Sequence, residues 1–292
     1  MSVATSAHEA ENQMAAPGVD RLVLDLAIPP RPQIVAEIGD ELRREDPDLK
    51  RIARVVASDV ALTAAVLRIA NSPAYGSSRK IETLGQALAM LGLKQIGVMV
   101  TGIVLRKLLR TDGPQLTRFW DVSAKRAWAM AALARSLRGV EVDVAQTFGL
   151  FCDVGIPLLM QRFPEYCRTL GAANSEPVRS FTAVEQDAHH ADHALIGGLM
   201  ARSWGVSQTV CLAIRVHHDY EILSDAKAPD AVRRLVAMTL LAERAIQAFA
   251  GMNTGTEWAK GGDAAMGALM LGEQDVDDWV ERLLDGFSEG AA

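Results

Sequence analysis

Apolar residues recur at three- and four-residue spacing through most of the chain, and Pro, Gly, Asp and Ser cut that pattern into a succession of short amphipathic helices. Pro32 sits where a first helical residue tolerates a missing N–H, which predicts a helix running to about Arg44. Asp46 followed by Pro47 predicts an N-cap and a new helix with Leu49, Ile52, Ala53 and Val56 on one face. Asp59 opens the next, whose apolar positions are Leu62, Val66, Leu67 and Ile69, ending at Asn71-Ser72-Pro73. Thr83 and Gln86 have capping-box spacing ahead of Leu84, Ala87, Leu88 and Leu91. Gly92 is expected to take a left-handed stop, with a longer apolar helix following to about Leu109.

Thr111-Asp112-Gly113-Pro114 is the clearest break, a turn glycine beside a proline able to start the next helix. Beyond it, helices are predicted over roughly 115–138, 143–161, 181–188 with Thr182 and Glu185 as a capping box, 191–203, 207–218 and 228–250. A Gly-rich stretch around Gly251, Gly255, Gly261 and Gly262 leads to a last acidic helix near 274–286. Residues 1–19 lack a sustained apolar face and read as a flexible leader, with structure beginning near Leu22. The expected organisation is an all-α protein: leader 1–19, N-terminal helical subdomain 20–112, second helical subdomain 113–250, and C-terminal extension 251–292. No fixed-period repeat or long heptad array interrupts that reading.

Composition narrows the function classes. The 292 residues are 49% apolar and only 5% aromatic, enough to fill a core and biased towards helix formers. A net charge of -6 offers no global attraction for a phosphate backbone, so nucleic-acid binding is not expected. Neither a basic start followed by an apolar stretch nor a run of 18 uncharged apolar residues is present, which predicts a cytoplasmic protein with no membrane partner. Cys152, Cys167 and Cys211 are odd in number and widely spaced, as expected of reduced, mostly buried thiols.

The chemistry concentrates in the second half. His189, His190, His193, His217 and His218 are five of the six histidines, and His189 and His193 have the spacing of one helix face. Such a cluster suits a metal or phosphate site, and equally suits capping and core hydrogen bonds. Asp153, in the otherwise apolar run Phe151-Cys152-Asp153-Val154-Gly155, requires a buried partner. Glu243 lies inside an apolar helix, where an ion pair with a helix neighbour is the simplest reading. Asn71, Ser72 and Tyr75 form a polar turn that either caps a helix or lines an interface between the subdomains. Arg106, Lys107 and Arg110 read as a solvated helix end.

Between Leu22 and Phe249 the chain resembles HDOD-domain proteins, relatives of the HD metal-dependent phosphohydrolases of bacterial signalling. The matching positions are Pro29-Pro30-Arg31-Pro32, Ser58-Asp59, Leu62, Leu67 to Ser72 with Tyr75-Gly76, Ile81, and Ala87 to Gly92. Downstream they are Phe119-Trp120, Ser123, Ala127, Gly149 to Gly155, Glu185, Asp192-His193, Gly197, Trp204 and His217-His218.

The resemblance implies a metal site built from an early His, a His-Asp pair and a later Asp, with further histidines in two-metal members. Here Val122 stands at the first His, Cys152 replaces the His of the pair, Asp153 remains, and Glu243 falls near the last Asp. His193, His217 and His218 match the additional histidines. Valine has no lone pair, and without a stable metal no hydroxide is activated for hydrolysis. The resemblance therefore implies a non-catalytic regulatory module, without a cofactor, that binds a signalling protein or a nucleotide-like ligand. With no receiver or cyclase segment in the chain, input and output are expected from another protein. The alternative is an HD-type phosphohydrolase for a nucleotide or cyclic dinucleotide, using a residual divalent metal on Asp153, His193, His217 or His218, and Glu243.

Overall fold

Side-chain caps at Ser6, Asp48, Asp59, Thr83, Ser180, Asp192 and Ser207 set seven of the helix starts among the described residues. The computed structural model describes residues 6–17, 26, 28–75, 80–109, 114–252 and 256–289, and all regular structure among them is helical. The expected start near Leu22, the Thr111–Gly113 break and Gly76 lie outside the described residues. The chain divides into a larger unit, residues 1–28 with 111–285, and a smaller one, residues 29–110 with 286–292.

The smaller unit holds α2 (Gln33–Leu42), α3 (Leu49–Ala57), α4 (Val60–Ala70) and α5 (Leu84–Leu108). Helices α2, α3 and α4 all pack on α5, burying Ile38, Ile52, Val56, Leu62, Val66, Leu88, Ile96 and Val100 in one core. Asp59 caps α4, and the Thr83–Gln86 capping box opens α5. Gly92 takes φ 77° and kinks α5, a conformation glycine adopts without Cβ strain. The start of α3 differs from expectation. Asp48, not Asp46, is its N-cap and accepts from the Lys50 and Arg51 amides, while its own N–H donates to buried Glu41. Asn71 donates to the Leu67 and Ile81 carbonyls and accepts from the Ile81 amide, tying the end of α4 to the approach to α5. Tyr75 accepts from Gln95 within the same unit.

The larger unit contains α1 (Ala7–Met14), α6 (Pro114–Ser136), α7 (Val142–Phe151), α8 (Gly155–Arg162), α9 (Tyr166–Ser175) and α10 (Phe181–His189). It continues with α11 (His193–Ser203), α12 (Gln208–Val216), α13 (Asp230–Phe249), α14 (Thr256–Leu269) and α15 (Glu273–Ser288), whose last residues fall in the smaller unit. The dominant pairings are α6 on α7, α13 on α14 and α11 on α12. Phe148, Phe151, Tyr166 and Trp204 are among its fully buried side chains.

Several sequence expectations are corrected in this unit. Residues 7–14 are not flexible leader: a Ser6–Glu9 capping box starts α1, and buried Ala10 and Met14 fasten it to α11 and α12. Arg202 donates to the Met14 carbonyl and Arg215 to Gln13, contacts more than 180 residues apart that local periodicity does not reveal. The helix expected over 143–161 is two helices, broken at Cys152–Val154. Helix α10 is capped by Ser180, which accepts from the Ala183 amide, and no Thr182–Glu185 box forms because Glu185 turns into the core.

Residues 256–269 are a helix and not a Gly-rich linker. A Cβ on Gly261 would lie 2.6 Å from the Tyr220 ring and 2.9 Å from Leu240, so the glycine permits contact where a linker would need freedom. Consequently 251–285 belongs to the larger unit and is not a separate extension.

Leu84–Leu108 and the segment Val142–Arg162 are long and apolar enough to cross a membrane by composition. The first is kinked at Gly92 and the second is the broken α7–α8 pair, both packed in helical cores.

Candidate functional site

Two glycines place Asp153. On α7, a Cβ at Gly149 would lie 2.9 Å from the Ala127 Cα, so α7 and α6 cross at backbone contact beside Arg126. At the start of α8, a Cβ at Gly155 would strike the His193 carbonyl and lie 2.8 Å from its Cα, which brings the break after α7 against the first turn of α11. Asp153, in that break, is thereby set between α6 and α11. Helix α6 presents Val122 and Arg126 one turn apart on a shared face. His193 is the first residue of α11, behind the Asp192 cap, and His217 and His218 terminate α12. Glu243 comes from the middle of α13.

The partner that Asp153 requires is Arg126, a residue the sequence reading missed. Its Nη2 donates to Asp153 Oδ2 at 2.6 Å and its Nε to Glu243 Oε1 at 2.5 Å, with Nη2 also reaching Glu243. Arg126 is only 4% exposed. Burial alone would lower its pKa, but Asp153 and then Glu243 outweigh burial and hold it above the ordinary arginine value. Burial works against the charge on Asp153, but Arg126 and then a hydrogen bond from His193 overcome it and hold the carboxylate well below its usual range. The ion pair expected for Glu243 therefore exists, but with α6 across the core and not with a helix neighbour. The legible signal for Arg126 was its position: a base one turn after Val122, in a helix whose Ala127, Met130 and Ala131 are buried.

On the opposite side of Asp153 the histidines converge. His193 Nε2 and His217 Nε2 are 3.2 Å apart, and Asp153 Oδ1 lies 3.5 Å from the first and 3.3 Å from the second. Each outer ring nitrogen is held by an acceptor: His193 Nδ1 by Glu185 at 2.7 Å, His217 Nδ1 by the Ile214 carbonyl at 2.7 Å, and His218 Nδ1 by Glu257 at 2.9 Å. Tyr166 donates to the far oxygen of Glu185, while Tyr220 and Lys260 donate to Glu257. Burial opposes a charge on His193, yet Glu185 and Asp153 raise it to about 10. Burial, followed by repulsion from His218, lowers His217 to about 3. Imidazolium His193 thus points its Nε2–H at Asp153 and at the lone pair of neutral His217.

The same atoms also suit a metal ion. Tetrahedral ligands at about 2.0–2.1 Å from an ion stand about 3.3 Å apart. The three edges measured here match that spacing, and ligand atoms of Asp153, His193, His217 and His218 all fall within 4.8 Å of one another. Outer nitrogens bound to carboxylate or carbonyl are the usual support of metal-bound imidazoles. A single ion fits on this side. The other side, between Asp153 Oδ2 and Glu243, does not fit one: the Arg126 guanidinium lies there, Val122 offers no donor, and burial followed by the Asp153 charge holds the Cys152 thiol well above its ordinary pKa.

Val122, Cys152, Asp153, His193, His217, His218 and Glu243 all line one cavity of about 480 Å³, together with Arg118, Phe119, Phe181 and Met252. Cys152 and Cys211 are buried and Cys167 is exposed, all three as free thiols. His189 and His190 do not join the cluster. His189 ends α10, stacks on Phe163 and bonds Thr169, while His190 takes φ 53° as the cap, so His189 and His193 lie on different helices. Glu257 was also missed, since nothing in its local sequence ties α14 to His218.

These helices, and a centre in which Asp153 lies between Arg126 and a pair of histidines, define an HD-type helical protein. The chain belongs to the HDOD family, whose domain model matches residues 28–220. It is 22% identical over 229 residues to an uncharacterized protein of Treponema pallidum (strain Nichols), covering 77% of this chain and 43% of that one. It is also 27% identical to YuxH of Bacillus subtilis (strain 168) over 115 residues, covering 39% and 28%. The chain thus spans less than half the length of the curated relatives it matches. Among solved structures, an HDOD protein of unknown function from Geobacter sulfurreducens superposes with a TM-score of 0.69 at 24% identity, covering 90% of this chain and 91% of that one. A Shewanella amazonensis SB2B structure provisionally assigned as a phosphohydrolase superposes with a TM-score of 0.71 at 23% identity, covering 92% and 95%. At these identities the likeness establishes the fold.

Proposed function

We propose that this chain is a non-catalytic module of bacterial signal transduction, located in the cytoplasm, which relays a state by binding a partner protein or a nucleotide-like ligand. The observation that carries the reading is the Arg126 guanidinium bound between Asp153 and Glu243. A guanidinium supplies positive charge but cannot ionise a coordinated water, so that side of the centre has no means of making hydroxide. The cavity of about 480 Å³, apolar at Phe119, Phe181 and Met252 and polar at its floor, is of a size that holds a small ligand.

A second reading, a phosphohydrolase working with one ion on nucleotides or cyclic dinucleotides, is favoured by the spacing of Asp153 Oδ1, His193 Nε2 and His217 Nε2. Such an ion would be held by those three side chains and by His218, and would supply Lewis acidity. Assays of the purified chain with manganese, iron or zinc on phosphodiester and nucleotide substrates separate the readings. The module predicts no turnover above an Asp153→Ala control. Metal-dependent turnover lost in that control would sink it.

A further inference from the structure

The pairing around Asp153 Oδ2 has a geometry that an unspecialised buried salt bridge does not require. Arginine is almost never fully buried unless paired. Arg126 is buried and touches two carboxylates from two other structural elements, the α7–α8 break and α13. It reaches them from the same face of α6 as Val122, one turn away, so the side chain enters the space that a donor at position 122 would otherwise address. The close crossing at Gly149 fixes the α6 backbone at residues 126 and 127, which sets where the guanidinium lands. The opposite oxygen of the same Asp153 faces His193 and His217 at metal-ligand spacing. One carboxylate therefore divides two cation positions, and one of them is already filled by the protein itself.

We propose that Arg126 is a resident, covalently attached cation that stands in for a metal ion between Asp153 and Glu243, leaving the centre room for a single exchangeable cation on the histidine side. A metal ion bound between Asp153 and Glu243 can be lost to a chelator, whereas the guanidinium cannot, so this half of the centre stays assembled whatever the metal supply. The inference rests on the identity of this position and not on whether the chain hydrolyses anything.

Counting bound ions tests it. The full-length wild-type chain and Arg126→Ala are stripped with chelator and titrated with Mn²⁺ under identical conditions, with bound metal quantified after equilibrium dialysis. The wild type is expected to hold no more than one equivalent, and Arg126→Ala one more, on the freed Asp153 and Glu243 carboxylates with water filling the positions that Val122 and Cys152 do not supply. The added equivalent is lost in Arg126→Ala/Glu243→Gln. Should Arg126→Ala fail to accumulate as folded protein, Arg126→Gln, which keeps an amide donor towards Glu243, carries the same count. Equal stoichiometry in the wild type and the folded variant would overturn the proposal. So would a gained ion that survives Glu243→Gln. A catalytically active wild type would remove the functional reading above while leaving this count intact.

Discussion

Arg126 and Asp153, 27 residues apart on α6 and in the α7–α8 break, meet at 2.6 Å in the core of the larger unit, and Glu243 meets the same guanidinium from α13. Three segments are thereby joined through one side chain. Removing one partner of such a pair leaves buried charge without compensation, which typically costs about 3–5 kcal/mol. Arg126→Met is expected to lose stability on that scale in urea denaturation. Adding Glu243→Gln to it should then cost less than Glu243→Gln costs alone, because the residues share one network. Strict additivity in the double-mutant cycle would show that the pair is not coupled.

Stability should be highest near pH 6.5 in the presence of chelator. His193 has a folded pKa of about 10, above its ordinary 6.5, so its contribution is complete below pH 6.5 and is lost as pH rises towards 10. His217 is held at about 3, so the unfolded chain takes up its proton first and stability falls as pH drops from 6.5 towards 3. Denaturation midpoints across this range check both limbs, and Glu185→Gln should flatten the alkaline one. A profile that is flat from pH 6.5 to 10 would show that His193 gains no proton on folding.

Gly155→Ala introduces a methyl group against the His193 backbone, where no flexible side chain can yield. Overpacking typically costs about 1–3 kcal/mol, and a backbone obstacle places this variant at the upper end. Because α8 and α11 must separate to relieve it, the Nε2 spacing around Asp153 should widen as well. Thermal melting and a histidine-detected NMR spectrum report the two effects. An unchanged histidine spectrum in a destabilised variant would contradict the role given to Gly155.

Asn71→Ala removes three hydrogen bonds to the backbone, two of them on Ile81. Loss of about 1–3 kcal/mol follows from leaving those groups unpaired. Hydrogen exchange at the Ile81 amide is the direct readout, and persistence of its protection would refute the capping role.

Glu257→Ala strips the acceptor from His218, Tyr220 and Lys260 together. Burial works against its charge, but His218 and Lys260 hold Glu257 below the usual carboxylate range, so the ionised acceptor is present above its ordinary pKa of 4.5 and its contribution is lost as pH falls. Destabilisation of about 1–3 kcal/mol at neutral pH, shrinking in acid, is expected from denaturation at the two pH values.

Local rules in the sequence determined much of this protein. Helical periodicity and caps such as Asp59 and Thr83 placed most helices, because a cap and an apolar stripe are properties of a few consecutive residues. Motif order pointed to the HDOD family, and that resemblance set Val122 and Cys152 at positions where a full metal set has histidines. The tertiary structure alone decided who partners whom. Arg126 looked like one more base in α6 until α7 and α13 brought Asp153 and Glu243 to it, and Glu257 looked like part of a linker until Gly261 let α14 close on Tyr220. Such choices depend on how helices distant in the chain pack, and a buried charge takes whichever opposite charge that packing delivers.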